Sequence, residues 1–212
     1  MNNLNKIPIH DSSLRHSTGQ AIYIDDMPEQ ENLLHGAPVL SKVACGKIKT
    51  INSDTLKDLP FFTKIITAKD IPGENEIGPI KNGEPILADD FFSYLGQPVA
   101  IVLAKTHQEA IYASSLVEIE LEFTTKPILN LDDAYEQKSF LEDPMILGKG
   151  NIKKDMSKSN YTLSGDFEIG GQDHFYLETH VAITFPGEND EYVVWSSTQH
   201  PTEVQHGVGK VL

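Results

Sequence analysis

Pro98-Val99-Ala100-Ile101-Val102-Leu103-Ala104-Lys105-Thr106-His107-Gln108-Glu109-Ala110 is the stretch that sets the architecture. The run from Pro98 to Ala104 carries no polar side chain, which is how a strand buried on both faces reads. Thr106 can then cap a helix, and Glu109 three residues later completes a capping box. That helix places Ala110, Ala113, Ser114 and Val117 on one face, and side chains this small suit close packing on a sheet. Val117 to Phe123 alternates apolar with acidic residues, the period of a half-exposed strand. Buried strand, helix and second strand in succession predict an α+β arrangement.

Toward the N-terminus, the first dozen residues are polar and predict extended chain. Residues 18–28 predict a short strand that ends in an acidic turn at Asp25-Asp26, where aspartates cap the bend before Met27-Pro28. Residues 33–43, 46–51 and 62–67 predict further strands. Residues 53–59 predict a helix capped by Ser53 and stopped by Pro60. Residues 70–79 are loop by composition. Toward the C-terminus, residues 131–138 predict a short helix and residues 142–158 a linker rich in Gly, Pro, Lys and Asp. Residues 160–168, 176–185 and 191–197 predict three strands, with a turn at 186–190 between the last two. Pro201 fits the first turn of a helix that runs to Leu212. The pattern is still helical at that point, which predicts a second unit that is cut short.

Composition narrows the function. The chain has 212 residues, 39% hydrophobic and 23% charged, with a net charge of −14. That charge opposes sequence-independent nucleic-acid binding and adhesion to anionic membranes. No apolar run is long enough to span a bilayer. A signal-peptide core is missing from the N-terminus, and a cytoplasmic location is the default expectation. Cys45 is the only cysteine, so this chain cannot hold a cysteine-ligated cluster or an internal disulfide, and it reads as a buried structural thiol.

Among candidate sites, His174 and His180 lie six apart, as do His200 and His206. Neither spacing is a metal-ligand pattern, and all four read as structural or surface residues. Glu118, Glu120 and Glu122 share one strand face and read as a solvated edge. No phosphate loop or serine elbow is present. Gly170-Gly171-Gln172 remains. A glutamine amide offers two donors and one acceptor without charge, and two glycines let the backbone approach a bulky group closely. Such a pair can equally form a β-bulge that leaves Gln172 merely exposed. Both readings stand on the residues alone.

Gly170-Gly171-Gln172-Asp173-His174-Phe175-Tyr176-Leu177-Glu178, followed by Ser196-Ser197-Thr198-Gln199-His200-Pro201-Thr202-Glu203-Val204-Gln205, resembles the xanthine dehydrogenase family of molybdenum hydroxylases, most of all its separate molybdenum-binding large subunit. Upstream, His10-Asp11-Ser12-Ser13, Gly19-Gln20-Ala21-Ile22-Tyr23-Ile24-Asp25-Asp26-Met27-Pro28, Asp70-Ile71-Pro72-Gly73 and Gly96-Gln97-Pro98-Val99-Ala100 follow the family's order. The resemblance implies an extended segment at 1–16, an α/β-hammerhead domain at 17–128, a linker at 129–158 and the incomplete start of a molybdopterin-binding domain at 159–212. It implies hydroxylation of an electron-poor carbon of a purine, xanthine or hypoxanthine, at a molybdenum–molybdopterin cofactor. Electrons would leave through iron–sulfur clusters and FAD, held on partner chains or domains, to NAD. Gln172 would approach an oxygen ligand of the molybdenum without ligating the metal itself, with Gly171 leaving room for the cofactor. Asp173 stands where the family more usually has glutamate. The family's catalytic glutamate, substrate-orienting arginine and glycine-rich loop lie beyond position 212. The resemblance therefore implies no catalytic residue here and an N-terminal fragment that is inactive alone. Two other expectations remain: a non-catalytic hammerhead module that binds other subunits, and a fragment of a related aldehyde oxidase or carbon monoxide dehydrogenase.

Overall fold

The computed structural model describes residues 9–78, 83–176 and 178–212. In chain order its elements are α1 (Ser13–Thr18), β1 (His35–Leu40), β2 (Gly46–Asn52), β3 (Phe62–Thr67), β4 (Phe91–Phe92), β5 (Pro98–Ala104), α2 (His107–Ser115), β6 (Glu118–Thr124), α3 (Leu131–Glu136), α4 (Ile152–Lys158), β7 (Ala182–Pro186), β8 (Tyr192–Ser196) and α5 (Pro201–Val211). Short 3₁₀ turns occupy Ile24–Asp26, Asp54–Asp58 and Ala68–Asp70. The arrangement is α+β, as the sequence predicts.

β5 is the central strand. It lies between β1 and β3, antiparallel to both, in the order β1-β5-β3. A second antiparallel sheet has the order β4-β2-β6. Side chains of β5 enter two cores because successive residues point to opposite faces. Ala100 and Val102 join Val39, Leu56, Ala113 and Val117, while Val99 joins Ile48, Ala88 and Phe92. Helix α2 packs on β1 and β5, and its buried residues are Ala110 and Ala113. Their single methyl groups let the helix axis come close to the strands. Thr106 Oγ1 accepts the Glu109 N–H at 3.3 Å and donates to Glu109 Oε2 at 2.9 Å, so the expected cap forms.

A polar brace closes the β1 and β5 ends. Ser41 Oγ donates to the Tyr94 carbonyl at 2.8 Å and accepts the amides of Gly96 and Gln97 at 3.0 and 3.1 Å. Gln97 Oε1 in turn accepts the Ser93 amide at 2.8 Å. Ser41 and Gln97 are the buried polar residues among those described, and each has its oxygen satisfied, as burial requires. Gly96 sits at φ +85°, the left-handed region that favours glycine. The Gly96-Gln97-Pro98 order is thus a turn and its lock.

Residues 182–212 form the β7–β8 hairpin and α5. Phe185 meets Trp195 edge-on at a centroid distance of 4.8 Å. The turn between them uses left-handed backbone at Asn189 and Asp190. The far end of α5 is capped from the first part of the chain: the Gly73 amide donates to the Val211 carbonyl at 2.8 Å and the Glu74 amide to the Lys210 carbonyl at 2.7 Å. A Cβ on Gly73 would lie 2.1 Å from the Lys210 oxygen, so no other residue fits there.

Several expectations are corrected. Residues 18–28 form no strand, because α1 ends at Gly19 in left-handed backbone and Tyr23–Asp26 closes a capping box instead. The helix expected at 53–59 is a 3₁₀ turn, and residues 152–158 of the expected linker are helical. Residues 160–168 form no strand, having no pairing partner among the described residues. The strand expected at 176–185 shortens to Ala182–Pro186, and Leu177 lies outside the described residues, as do Met1 to Pro8 and position 79. Cys45 is half-buried rather than buried, with Sγ 3.7 Å from the Ser93 carbonyl. The acidic face of β6 is an edge, as expected, and its Glu122 and Glu120 pair with Lys47 and Lys49 across to β2.

The chain divides into two compact units, one formed by 1–126 with 177–212 and the other by 127–176. The second contains α3 and α4 but no buried residue, and it exposes Leu141, Leu147, Tyr161, Leu163, Phe167 and Phe175.

Gly73→Ala should lower stability by about 1–3 kcal/mol, the usual cost of overpacking. Gly209→Ala, inside α5 with open space around it, should raise stability by about 0.5–1 kcal/mol. Urea melts of the two variants check this contrast. Acid should also weaken the fold through two carboxylates. Glu76 accepts the amides of Gly83, Gly78 and Glu84, and Asp70 accepts the amide and hydroxyl of Thr67. Both are held below their ordinary values of 4.5 and 3.8, chiefly by the Gly83 and Thr67 amides respectively. The folded-state value is the lower one in each case. Their contribution is therefore complete above the ordinary value and is lost as pH falls through the depressed one. The urea midpoint should hold above about pH 5 and fall below about pH 4. Glu76→Gln should make that fall shallower.

Candidate functional site

Gly170, Gly171 and Gln172 lie in chain without regular secondary structure, and all three are exposed. An ideal Cβ built on either glycine meets no atom within 4 Å. No described residue hydrogen-bonds the Gln172 side chain, so its two donors and its acceptor are unspent. A bulge would need a strand pair around it, and none is present among the described residues.

The next residues turn the chain. Asp173 Oδ1 accepts the Phe175 amide at 3.1 Å, closing an Asx turn. Phe175 is held at φ +48°, where a bulky aromatic is rare. Such backbone costs about 1–3 kcal/mol and persists where neighbours hold it. Here the short Asp173 side chain supplies the hold. A glutamate at 173 would carry its oxygens one methylene further from the backbone.

Glu178 has a role that the sequence reading did not assign. Its Oε1 accepts the Ile24 amide at 3.2 Å, while Asp26 Oδ2 accepts the Tyr23 amide at 3.0 Å. The acidic turn thus contains one carboxylate that caps it locally and receives a second from residue 178. The need for this partner is visible only in the structure, where Ile24 opens a 3₁₀ turn whose first amides lack partners within the turn.

The 196–205 motif resolves into two structural devices. Ser197 Oγ donates to the Thr179 carbonyl at 2.8 Å and accepts the Val181 amide at 3.0 Å. His200 caps α5 through Nδ1, which accepts the Glu203 amide at 3.1 Å, with Pro201 at the first helical position. His200 is therefore structural, as expected. Among the described residues no group of three or more His, Cys, Asp or Glu side chains could hold a metal ion, and no helix is long and apolar enough to cross a membrane. A groove of about 560 Å³ lies along α5, lined by Ile77, Tyr192, Val194, Val204, Val208 and Leu212. Its lining is mostly apolar, and His200, Glu203, Thr184 and Thr198 also border it.

The Gly170-Gly171-Gln172 stretch offers an uncharged amide with free donors and a backbone without side chains beside it. It does not fit a metal ion bound by protein side chains.

Comparison with known proteins matches the chain in two parts. A family model described as "Aldehyde oxidase and xanthine dehydrogenase, a/b hammerhead domain" matches residues 18–125. A second, "Molybdopterin cofactor-binding domain", matches residues 136–212. A xanthine dehydrogenase of Calliphora vicina is 38% identical over 206 residues, which is 96% of this chain and 15% of that protein. An aldehyde oxidase 2 of Macaca fascicularis is 35% identical over 205 residues, again 96% of this chain and 15% of the relative. The chain thus spans about 15% of the length of these relatives. The aldehyde oxidoreductase of Desulfovibrio gigas superposes with a TM-score of 0.77 at 24% identity, over 94% of this chain and 24% of that one, which shows a shared fold.

Glu178→Ala should free the Ile24 amide, and its hydrogen exchange should quicken about tenfold, the worth of one hydrogen bond to a charged acceptor. Glu178→Gln keeps an acceptor oxygen and should retain most of the protection. Exchange followed by NMR checks both.

Proposed function

Because the chain belongs to the aldehyde oxidase and xanthine dehydrogenase family of oxidoreductases, we propose that it is part of a molybdenum-dependent hydroxylase acting on a purine such as xanthine or hypoxanthine. The observation that carries this reading is Gln172: its amide is unspent, two glycines leave open space before it, and it falls within the stretch that matches a molybdopterin cofactor-binding domain. The molybdenum–molybdopterin cofactor would supply the two-electron oxidation. Gln172 Nε2–H would donate to an oxygen of that group, acting beside the metal and not as its ligand. Gly171 would let the backbone come near without a clash. Neither residue is proposed to move a proton.

In this proposal the domain division is 1–16, 17–128, 129–158 and 159–212, as read from the sequence. Iron–sulfur clusters and FAD belong to partner chains or domains, since one cysteine cannot ligate a cluster. The enzyme is cytoplasmic. The 212-residue chain alone is inactive, because Gln172 is exposed and nothing in 127–176 is buried around it. Excluding water and fixing donors are what such a site needs from its surroundings. The exposed apolar side chains of 127–176 are surface that further protein would cover, which supports the reading of a part of a larger enzyme. The purine reading over an aldehyde substrate rests on the wording of the motifs.

The purified chain, made in a host that synthesises the cofactor, should hold no stoichiometric molybdenum and form no urate from xanthine. Urate formation would overturn the claim of inactivity. In a longer polypeptide that carries this stretch with the remainder of the enzyme, Gln172→Ala should lower kcat roughly 10- to 100-fold. Molybdenum content and fold should stay unchanged, and unaltered turnover would remove Gln172 from the site.

A further inference from the structure

The proposed activity uses Gln172 and assigns nothing to Asp173, the residue directly after it. Gln172 has little to hold it. Gly170 and Gly171 precede it, and glycine has the widest conformational freedom of any residue. It lies in no helix or strand, and no described residue hydrogen-bonds its side chain. On its other side the chain is fastened at once. Asp173 Oδ1 accepts the Phe175 amide at 3.1 Å, and among the described residues this is the hydrogen bond nearest to Gln172 in the sequence. It closes a turn over His174 and holds Phe175 at φ +48°, a conformation that bulky side chains rarely adopt. Donor and acceptor are two residues apart, so the turn needs nothing outside 173–175 to form.

We infer that Asp173 is a positioning residue: its turn fixes the backbone from which the Gln172 amide is presented. The inference rests on the proposed role of Gln172 toward an oxygen of the cofactor. A hydrogen bond to that oxygen depends on both distance and angle, and a misplacement of about 1 Å can cost about a hundredfold in rate. An amide on a flexible side chain, carried by a backbone that is free on both sides, would spend much of its time misdirected. The turn removes that freedom on the C-terminal side. What it requires is an acceptor oxygen one methylene from the backbone, and charge is not needed. Asparagine places a carbonyl oxygen where Asp173 Oδ1 stands and closes the same turn. Glutamate keeps the charge but carries its oxygens one methylene too far. The two substitutions therefore separate geometry from charge. If Asp173 acted through its charge, on a cation or on a substrate, they would rank in the reverse order. Asp173 is exposed, so neither substitution disturbs packing within this chain.

Two measurements test the inference. On the 212-residue chain, the three-bond HN–Hα coupling of Phe175 reads the turn by NMR with no cofactor bound. It should shift toward the extended-chain value in Asp173→Ala and Asp173→Glu, and Asp173→Asn should keep the wild-type value. The second measurement uses a longer polypeptide that carries this stretch with the remainder of the enzyme. There Asp173→Ala and Asp173→Glu should lower kcat per bound molybdenum roughly tenfold, and Asp173→Asn should recover most of the loss. Adding Asp173→Ala to Gln172→Ala should cost nothing further, because two changes that act through one group do not add. A coupling at Phe175 indifferent to residue 173 overturns the inference. So does turnover in which Asp173→Glu matches wild type or Asp173→Asn is as slow as Asp173→Ala, and so does a further loss in the double variant. The proposed role of Gln172 fails by a different result, unaltered turnover in Gln172→Ala, and the inference then falls with it. A slow Gln172→Ala beside a fast Asp173→Glu overturns the inference alone.

Discussion

The cap that Gly73 and Glu74 place on the last carbonyls of α5 ties the end of the chain to a loop more than 130 positions earlier, the interval between residues 74 and 210. A helix C-terminus leaves its carbonyls without intrahelical partners. Here two backbone amides supply the partners, and they reach the carbonyls only because position 73 has no side chain. The Asp70-Ile71-Pro72-Gly73 order follows from this. Asp70 caps the turn that aims the loop, Pro72 stiffens it, and Gly73 makes the approach. The Glu76 carboxylate, collecting three amides just downstream, fixes the loop on its other side. The hairpin and α5 thereby join the unit built on β5, although residues 127–176 intervene in sequence.

Most of that β5 unit was legible in the sequence. The run from Pro98 to Ala104 announces a doubly buried strand because no polar side chain interrupts it, and Thr106 with Glu109 announces the helix that covers it. β2, β3 and β8 also lie close to where alternation placed them. The failures have one cause, namely that periodicity does not say whether a partner is available. Residues 160–168 alternate as well as any strand in the chain, but a strand is a pairing and not a property of one segment. Residues 18–28 fail for another reason. Local capping by Asp26 and the left-handed Gly19 offered that backbone a turn, and β-propensity alone did not outweigh it.

The candidate site divides along similar lines. The Gly-Gly-Gln order was conspicuous because no hydrophobic period explains it, and the structure leaves its amide unspent. Glu178 was quoted within the same motif without a role, since its partner is a backbone amide at residue 24, and no sequence pattern marks a backbone amide. Ser41 and Gln97 escaped notice likewise. One polar side chain satisfying three backbone groups leaves no trace in composition, though each burial is costly if unmatched. Motifs of this kind are therefore read more reliably as locks on turns than as reactive groups, and His200 capping α5 is an instance.

Gln172 differs from these in a way that matters for function. Ser41, Gln97, Ser197 and His200 each spend a side-chain polar atom on the fold, whereas Gln172 spends none. A side chain that contributes nothing to its own structure, beside two glycines that contribute no side chain at all, is free to serve an external group. The Asx turn at Asp173 and the left-handed Phe175 then follow at once, so the backbone leaves the amide sharply instead of continuing along its direction. Free donors and open backbone thus come immediately before a turn. In the proposed reading, selectivity for a substrate would be the work of other residues around this stretch.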